Sequence, residues 1–401
     1  MHRVVVLGAG KIGSLIAGLL GESGDYTVIL ADSRQGAAAE VAAAHRKAGG
    51  AGPMEALDLD AADAGRLQQA LRQQRADAVI SSLPYYCNEV VARAARDVGC
   101  HYFDLTEDVR SASAVLDIAR GASHAFAPQC GLAPGFISIA AAELIRHFES
   151  VRTVKLRVGA LPQHPNNVLK YSLTWSTEGL INEYGNLCLS VVNGESRQVL
   201  PLEGLEEIEI DGTLYEAFNT SGGLGSLADS FGAGVEAMDY KTIRYPGHCE
   251  QMRLLMNGLK LNQDRGTLKR ILENSVPQTL QDVVIVYAAV TGLQEGELRE
   301  ENYVNKVYPQ VIGGRLWSAI QITTAGGICA VVDLVLRHPE RYQGFVRQEQ
   351  FPLNQVLANR FGRHYSDGAG KEVSSRVIAA GGRGQQRVST AGATGKATSD
   401  A

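Results

Sequence analysis

"RVVVLGAGKIGSLIAGLLGESGDYTVILAD", residues 3–32, decides the fold. A β-branched run ends at Leu7, three glycines follow at Gly8, Gly10 and Gly13, an apolar stretch at helical spacing reaches Leu20, and a second β-branched run ends at Asp32. Strand, glycine turn, helix and strand in that order are the context in which a GxGxxG pattern carries chemistry. Gly8 permits the tight turn, Gly10 lets the backbone approach a pyrophosphate, and Gly13 lets the helix pack closely on the strand. The helix N-terminus, with Lys11 and Ile12 in its first turn, turns N–H groups and a positive dipole toward the anion. Asp32 stands about 20 residues beyond the glycines, where a carboxylate accepts hydrogen bonds from the adenosine ribose, which favours NAD. Arg34 is close enough to pair with a 2'-phosphate, so NADP stays open. The competing reading is a packing turn with an incidental surface aspartate.

Strands and helices continue to alternate: "MEALDLD", "ADAVISSLP", "CHYFDL" and "HAFAPQCG" read as strands, with helices at "AGRLQQALRQQ", "NEVVARAARDVG" and "SASAVLDIARGA". This α/β alternation predicts a doubly wound parallel sheet of Rossmann type over residues 1–135. The pattern then changes. "VRTVKLRVGAL", "YSLTWS", "EIEIDGTLYEAF", "YKTIRYPG", "DVVIVYAAVTGL" and "ENYVNKVYPQVIGGRLWSAIQITTA" read as the strands of a second, mixed α/β domain over 136–320. "TTAGGICAVVDLVLRHPERYQG" reads as an apolar helix with a threonine cap, in a segment 321–365 that packs back on the first domain. Residues 366–401, rich in Gly, Ser, Ala and Thr, read as a disordered tail.

The 401 residues are 45% hydrophobic with a formal charge of -5, so no general attraction to nucleic acid or to an anionic membrane is expected, and a small soluble partner is. No apolar run is expected to approach the roughly 20 residues of a membrane span, and no export leader is read, so the expected compartment is cytoplasmic. The six cysteines have no CxxC or mixed His/Cys spacing, which argues against a metal site and for free thiols.

In an open parallel sheet, ligands bind at the C-terminal strand ends. The fourth strand leaves through "SSLPYYCNE", placing Ser82 and Leu83 with the cofactor and Tyr85 and Tyr86 over the crevice. The next two exits, "FDLTED" and "PQCGLAPGF", bring Asp104, Thr106, Gln129 and Cys130 to the same edge.

"SSLPYYCNEVVARAARDVGCHYFDLTED", "GLAPGF", "LTWSTEGLINEY", "NTSGGLGSL" and "YKTIRYPGH" resemble the saccharopine dehydrogenase family across most of residues 3 to 350. The resemblance implies a dinucleotide domain interrupted by a mixed α/β substrate and dimerisation domain, a returning C-terminal helix and a homodimer. It also implies oxidation of a carbon–nitrogen bond in lysine or a lysine derivative. Forms acting on saccharopine usually carry an arginine two residues after "WS"; here Thr177 and Glu178 follow Trp175 and Ser176. "EGL" and "NTSGG" instead resemble the lysine 6-dehydrogenase branch, which deaminates the terminal amine of lysine. On that resemblance Arg244 receives the substrate α-carboxylate, while Glu178 and Trp175 line the amine end.

Such chemistry needs a base to take the proton of the amine and later that of the attacking water. Asp104, Tyr85 and Cys130 are the catalytic candidates, with Lys170 behind them because a lysine is a base only when burial lowers its pKa. Oxidation of saccharopine is the alternative activity, and a dinucleotide-binding sensor without turnover the alternative class.

Overall fold

The computed structural model describes residues 1–366 and the backbone of one short strand at Ser375–Ile378. The first domain alternates β1 (His2–Leu7), α1 (Lys11–Glu22), β2 (Tyr26–Asp32), α2 (Ala37–Lys47), β3 (Met54–Asp58), α3 (Ala64–Gln73), β4 (Ala78–Ser81), α4 (Asn88–Val98), β5 (His101–Asp104), α5 (Val109–Ala119) and β6 (Ala125–Ala127). The central strands β1, β2 and β4 are buried on both faces, so they read as continuous apolar runs, as parallel strands under helices do, whereas the edge strand β3 is largely exposed. Their spatial order is β6-β5-β4-β1-β2-β3, all parallel. The chain winds outward from β1 to β3, then restarts at β4 on the other side of β1. The crevice at that reversal, between the ends of β1 and β4, is where such sheets bind ligands.

After α6 (Phe136–Ile145) come β7 (Ser150–Pro162), α7 (Thr177–Gly185), β8 (Cys188–Val192), β9 (Glu195–Val199), β10 (Glu206–Ile210), β11 (Thr213–Asn219), α8 (Leu227–Phe231), β12 (Ala237–Arg244), α9 (His248–Arg253), α10 (Arg265–Ser275), β13 (Asp282–Gln294) and β14 (Glu297–Val307). The central ladder runs β14-β13-β7-β12-β11-β10, with β8 and β9 attached to β12. Lys306 on β14 reaches Asp211 in the β10–β11 turn, 2.8 Å away, so the sheet curls far enough to bring β14 to that turn. Along β7, Val154, Leu156, Val158 and Ala160 alternate toward the shared core, while Arg157 points the other way into an ionic network with Glu206, Asp239 and Lys241.

Two expected strands are not strands of this sheet. "YSLTWS" lies extended but unpaired: its one backbone bond to a neighbour runs from Leu173 N–H to the Pro277 carbonyl, and Tyr171 to Thr174 are all buried, so no alternating face exists. The hairpin β15 (Gln310–Ile312) and β16 (Arg315–Trp317) forms its own two-stranded sheet.

The long helix α11 (Ala319–Arg337) begins earlier than a threonine cap implied. Ser318 and Gln321 form a reciprocal capping box, and both oxygens of Asp282 accept the N–H groups of Ala319 and Ile320, so four orphan groups are satisfied at this point. The expectation that no apolar run reaches spanning length is corrected by this helix. Its 19 residues have mean hydropathy 1.8 in their most apolar window, and 89% of that window is buried inside the chain. Burial between α1 and the second sheet accounts for the apolarity. Its one buried charge, Asp333, accepts from Tyr26 of β2, Asn359 and Arg360, which fastens the helix to the first domain. Beyond it, β17 (Gly344–Phe345) adds a parallel strand beside β6, and α12 (Leu353–Ala358) follows.

The segment 366–401 was expected to be disordered. Within it β18 (Ser375–Ile378) pairs antiparallel with β10, a correction for those four residues. The rest of that expectation lies outside the described residues. All six cysteines are free.

Candidate active site

The exits of β1 and β4 are stitched together where the Ser82 N–H donates to the Leu7 carbonyl at 2.9 Å. Gly8 turns there with φ +98, and a Cβ on it would lie 2.8 Å from the Ser82 carbonyl oxygen. A Cβ on Gly13 would overlap the Gly8 carbonyl, so helix and strand touch backbone to backbone. Gly10 differs: nothing lies within 4 Å of its Cβ position, and it lines the large cleft. Packing explains two of the glycines, and open space in front of the third is what an approaching pyrophosphate needs.

Asp32 reaches back to this turn, accepting from the Ala9 N–H at 2.7 Å and the Arg34 N–H at 2.8 Å. Partial burial opposes its ionisation. The two N–H groups and the nearby Arg34 guanidinium outweigh that and hold the carboxyl below the usual range, so it is anionic and ready to accept ribose hydroxyls. Arg34 itself is 72% exposed. Turn, open glycine and anionic strand end fit a dinucleotide, and the residues that would hold it are Gly8, Gly10, Lys11, Ile12, Gly13, Asp32, Ser82 and Leu83.

The cleft in front of the turn has a volume of about 670 Å³ and lies between the two sheets. The first domain lines it with Gly10, Lys11, Ile12, Ser82, Leu83 and Tyr85, and the second with Trp175, Glu178, Glu183 and Arg244. Lys11 Nζ donates to Gln278 Oε1 at 2.7 Å, bridging the domains.

Arg244 ends β12 and is 3% exposed. Its Nε donates to the Tyr184 hydroxyl at 2.9 Å and its Nη1 to the Ile243 carbonyl at 2.8 Å, with the Tyr171 ring 5.1 Å from its guanidinium carbon. Nη2 has no hydrogen-bond partner among the described residues, leaving one edge of the fork for the cleft. The Tyr184 hydroxyl also meets His248 Nε2 at 3.1 Å, while His248 Nδ1 faces the Leu169 carbonyl at 2.8 Å. A carbonyl only accepts, so Nδ1 carries the hydrogen. Burial, then the Arg244 charge, push the imidazole down to about 3, so it is neutral and its Nε2 accepts from Tyr184. Every proton in this relay is assigned, and the relay aims the guanidinium.

Glu178 is elsewhere occupied. It sits in the first turn of α7, 51% exposed, and pairs with Lys269 at 2.8 Å. The Trp175 indole donates to the Tyr171 hydroxyl at 3.0 Å and its ring lies against Gly179, where a Cβ would intrude.

Two of the catalytic candidates are not brought to the cleft. Asp104 is fully buried, accepting from the Tyr102 hydroxyl at 2.6 Å and from the Thr106 and Gln129 N–H groups at 2.9 Å; it ties two strand exits together. Cys130 is 1% exposed, its Sγ against the Ala127 carbonyl and the Gln348 amide, and burial pushes its thiol up, so no thiolate forms. Tyr85 does line the cleft, whereas Lys170 turns away to donate to the Pro246 carbonyl.

The sequence reading passed over Glu107 and Glu183. Glu183 is 7% exposed on α7, lines the cleft, and its carboxylate has no hydrogen-bond partner among the described residues. Glu107, from the exit of β5, lines the same wall. The "NTSGG" loop clasps both. The Ser221 N–H donates to the Glu183 carbonyl at 2.9 Å, and Gly222, at φ +86, packs against the Glu107 carbonyl where any side chain would collide. The available signal was a glutamate inside the buried run "LINEYG".

This doubly wound sheet with an anionic strand end at its glycine turn, opening on a cleft walled by a second domain, is together with the family match that of an oxidoreductase that uses a nicotinamide dinucleotide. The chain belongs to the saccharopine dehydrogenase family: residues 4–129 match the saccharopine dehydrogenase NADP binding domain and residues 131–364 the saccharopine dehydrogenase C-terminal domain. Its fold is similar to that of saccharopine dehydrogenase (L-Glu forming) from Saccharomyces cerevisiae, at 16% identity and TM-score 0.73 over 94% of this chain and 100% of that one. A myo-inositol dehydrogenase from Corynebacterium glutamicum aligns at 11% identity and TM-score 0.44, over 95% of this chain and 99% of that one.

Proposed function

We propose that the protein is an NAD-dependent amine dehydrogenase of the lysine 6-dehydrogenase type, oxidising the terminal carbon–nitrogen bond of free lysine. The observation carrying this reading is the polarity of the cleft. Among its lining residues Arg244 is the only guanidinium, and one edge of its fork has no partner among the described residues, whereas Lys269 is paired with Glu178 and Lys11 stands at the glycine turn, bonded to Gln278. One guanidinium suits one α-carboxylate. The lining also carries Glu183 and Glu107, which suits a substrate whose other end is an ammonium. Saccharopine brings further carboxylates into a cleft whose lining carries Glu107, Glu178, Glu183 and Glu273 against Lys11, Lys269 and Arg244, so the alternative activity is electrostatically the less favoured.

Bound at the glycine turn, the dinucleotide supplies the hydride acceptor for the carbon that bears nitrogen. Arg244 fixes the far end of the substrate, the Tyr184–His248 relay keeps the fork in orientation, and the walls from Trp175 and Tyr85 exclude bulk water. NAD is preferred because the Asp32 carboxylate stands where NADP carries a dianionic phosphate.

Initial rates with lysine, saccharopine, ornithine and diamines, each with NAD and with NADP, test the reading. The highest kcat/KM is expected for lysine with NAD, and Asp32→Ala is expected to weaken NAD by about 1.5–3 kcal/mol, on the order of ten- to a hundredfold. Preferred saccharopine turnover moves the protein to that activity. Nucleotide binding with no turnover of any amine makes it a sensor. Glu178→Gln is expected to leave the lysine KM within about threefold, because an exposed ion pair contributes only about 0–1 kcal/mol. A tenfold rise returns Glu178 to the substrate.

A further inference from the structure

We propose that Glu183, backed by Glu107, is the group that takes the proton from the substrate ammonium. The inference rests on the amine dehydrogenase reading and supplies a carboxylate base beside Tyr85, since Asp104 and Cys130 do not reach the cleft. Its geometry is a carboxylate more than nine-tenths buried, aimed into the cleft and unpartnered, on the helix that also carries the Tyr184 support of Arg244. The acceptor and the hydroxyl that orients the anchor are therefore neighbouring residues of one helix, while the anchor itself comes from β12.

The step is a simple proton transfer. One N–H bond of the ammonium breaks, its electron pair stays on nitrogen, and an O–H bond forms at Glu183. The neutral amine then has the lone pair that iminium formation requires when hydride leaves for the nicotinamide dinucleotide, the oxidant of the reaction.

The groups facing Glu183 are Glu107 from the exit of β5, Arg244 and Tyr240 from β12, Tyr184 from its own helix, Tyr171, and Cys188 of β8. Burial pushes the tyrosines and the thiol upward, so they stay neutral, and Glu107 and Arg244 set the ionisation of Glu183. Burial, then the Glu107 charge, raise it well above the usual range, and Arg244 offsets part of that rise. Two carboxyls so placed titrate as a pair. The empty site favours the protonated form of Glu183 and an arriving ammonium favours the carboxylate, so lysine binding is coupled to proton release.

Calorimetry of the full chain saturated with reduced dinucleotide, which blocks turnover, measures that release in buffers of different ionisation enthalpy. Lysine is expected to release a proton below the upper titration of the pair, the release declining as the pH rises through it. Norleucine, which keeps the α-carboxylate and lacks the ammonium, is expected to release none, and Glu183→Gln to abolish the lysine signal. Lysine binding without proton exchange at any pH overturns the proposal, as does full release in Glu183→Gln. Where that variant does not fold, Glu107→Gln decides: loss of the neighbouring charge moves the midpoint of release to lower pH, and an unmoved midpoint overturns the pair. Should the rate panel select another amine, the lysine reading falls on that ground alone. The selected amine and its deaminated analogue then replace lysine and norleucine, with the same two outcomes.

Discussion

Arg244→Ala is expected to raise the KM for lysine by on the order of a hundredfold, while oxidation of a diamine without the carboxylate changes little. Removing one partner of a buried charge-assisted pair costs about 2–5 kcal/mol, and 1.4 kcal/mol is a factor of ten. The diamine is the control for general damage, since it uses the same acidic wall and never meets the guanidinium. A second effect has a defined sign. Arg244 offsets part of the rise that burial and Glu107 impose on Glu183, so its loss raises Glu183 further and moves the alkaline rise of lysine oxidation to higher pH. Arg244→Lys keeps a charge but not the planar fork, so most of the KM defect should persist while the pH profile stays near that of the wild type. Equal losses for lysine and diamine in both variants would show that Arg244 supports the cleft without touching substrate.

The first domain was legible because its signals are local. Glycines 8, 10 and 13, the Asp32 strand end and the alternation of apolar runs all act within about 30 residues, and each has one backbone meaning. The second domain was legible in element type and less so in partner. "YSLTWS" has the composition of a strand, and only the lack of a continuous strand partner beyond the single Leu173–Pro277 bond decides otherwise. α11 has its true cap at Ser318 because Asp282, from a strand distant in sequence, accepts two of its N–H groups. The site divides the same way. Arg244 and Trp175 were named through the family resemblance and do line the cleft, whereas Asp104, at an ideal strand end, is consumed by the Tyr102 hydroxyl and two backbone donors. Glu178 looked free until Lys269, on α10, reached it. Glu183 looked like one more helical glutamate, and only the β12 and "NTSGG" elements that bury it give it an unusual titration. Charge at a position can be read from sequence; desolvation and partners depend on contacts between distant segments.

The glycine turn offers a test that separates packing from ligand binding within six residues. Gly13→Ala places a methyl group into the Gly8 carbonyl, backbone against backbone, and neither side can yield without moving α1 from β1. It is expected to destabilise the fold by at least about 1–3 kcal/mol, seen as a lower Tm, and to lose dinucleotide binding with it. Gly10→Ala should behave in the opposite sense. Gly10 has φ −73 and ψ −169, an extended conformation that alanine adopts freely, and nothing within 4 Å obstructs its Cβ. Its stability is expected to be unchanged or higher by about 0.4–1 kcal/mol, because alanine narrows the unfolded ensemble. The added methyl then occupies the one space the pyrophosphate needs, and displacement of about 1 Å at such a contact is worth on the order of a hundredfold in binding or rate. A turn that merely packs strand on helix predicts no binding phenotype at Gly10. A dinucleotide titration of Gly10→Ala that matches the wild type, alongside an unfolded Gly13→Ala, would leave the turn with its structural role and place the nucleotide elsewhere in the cleft.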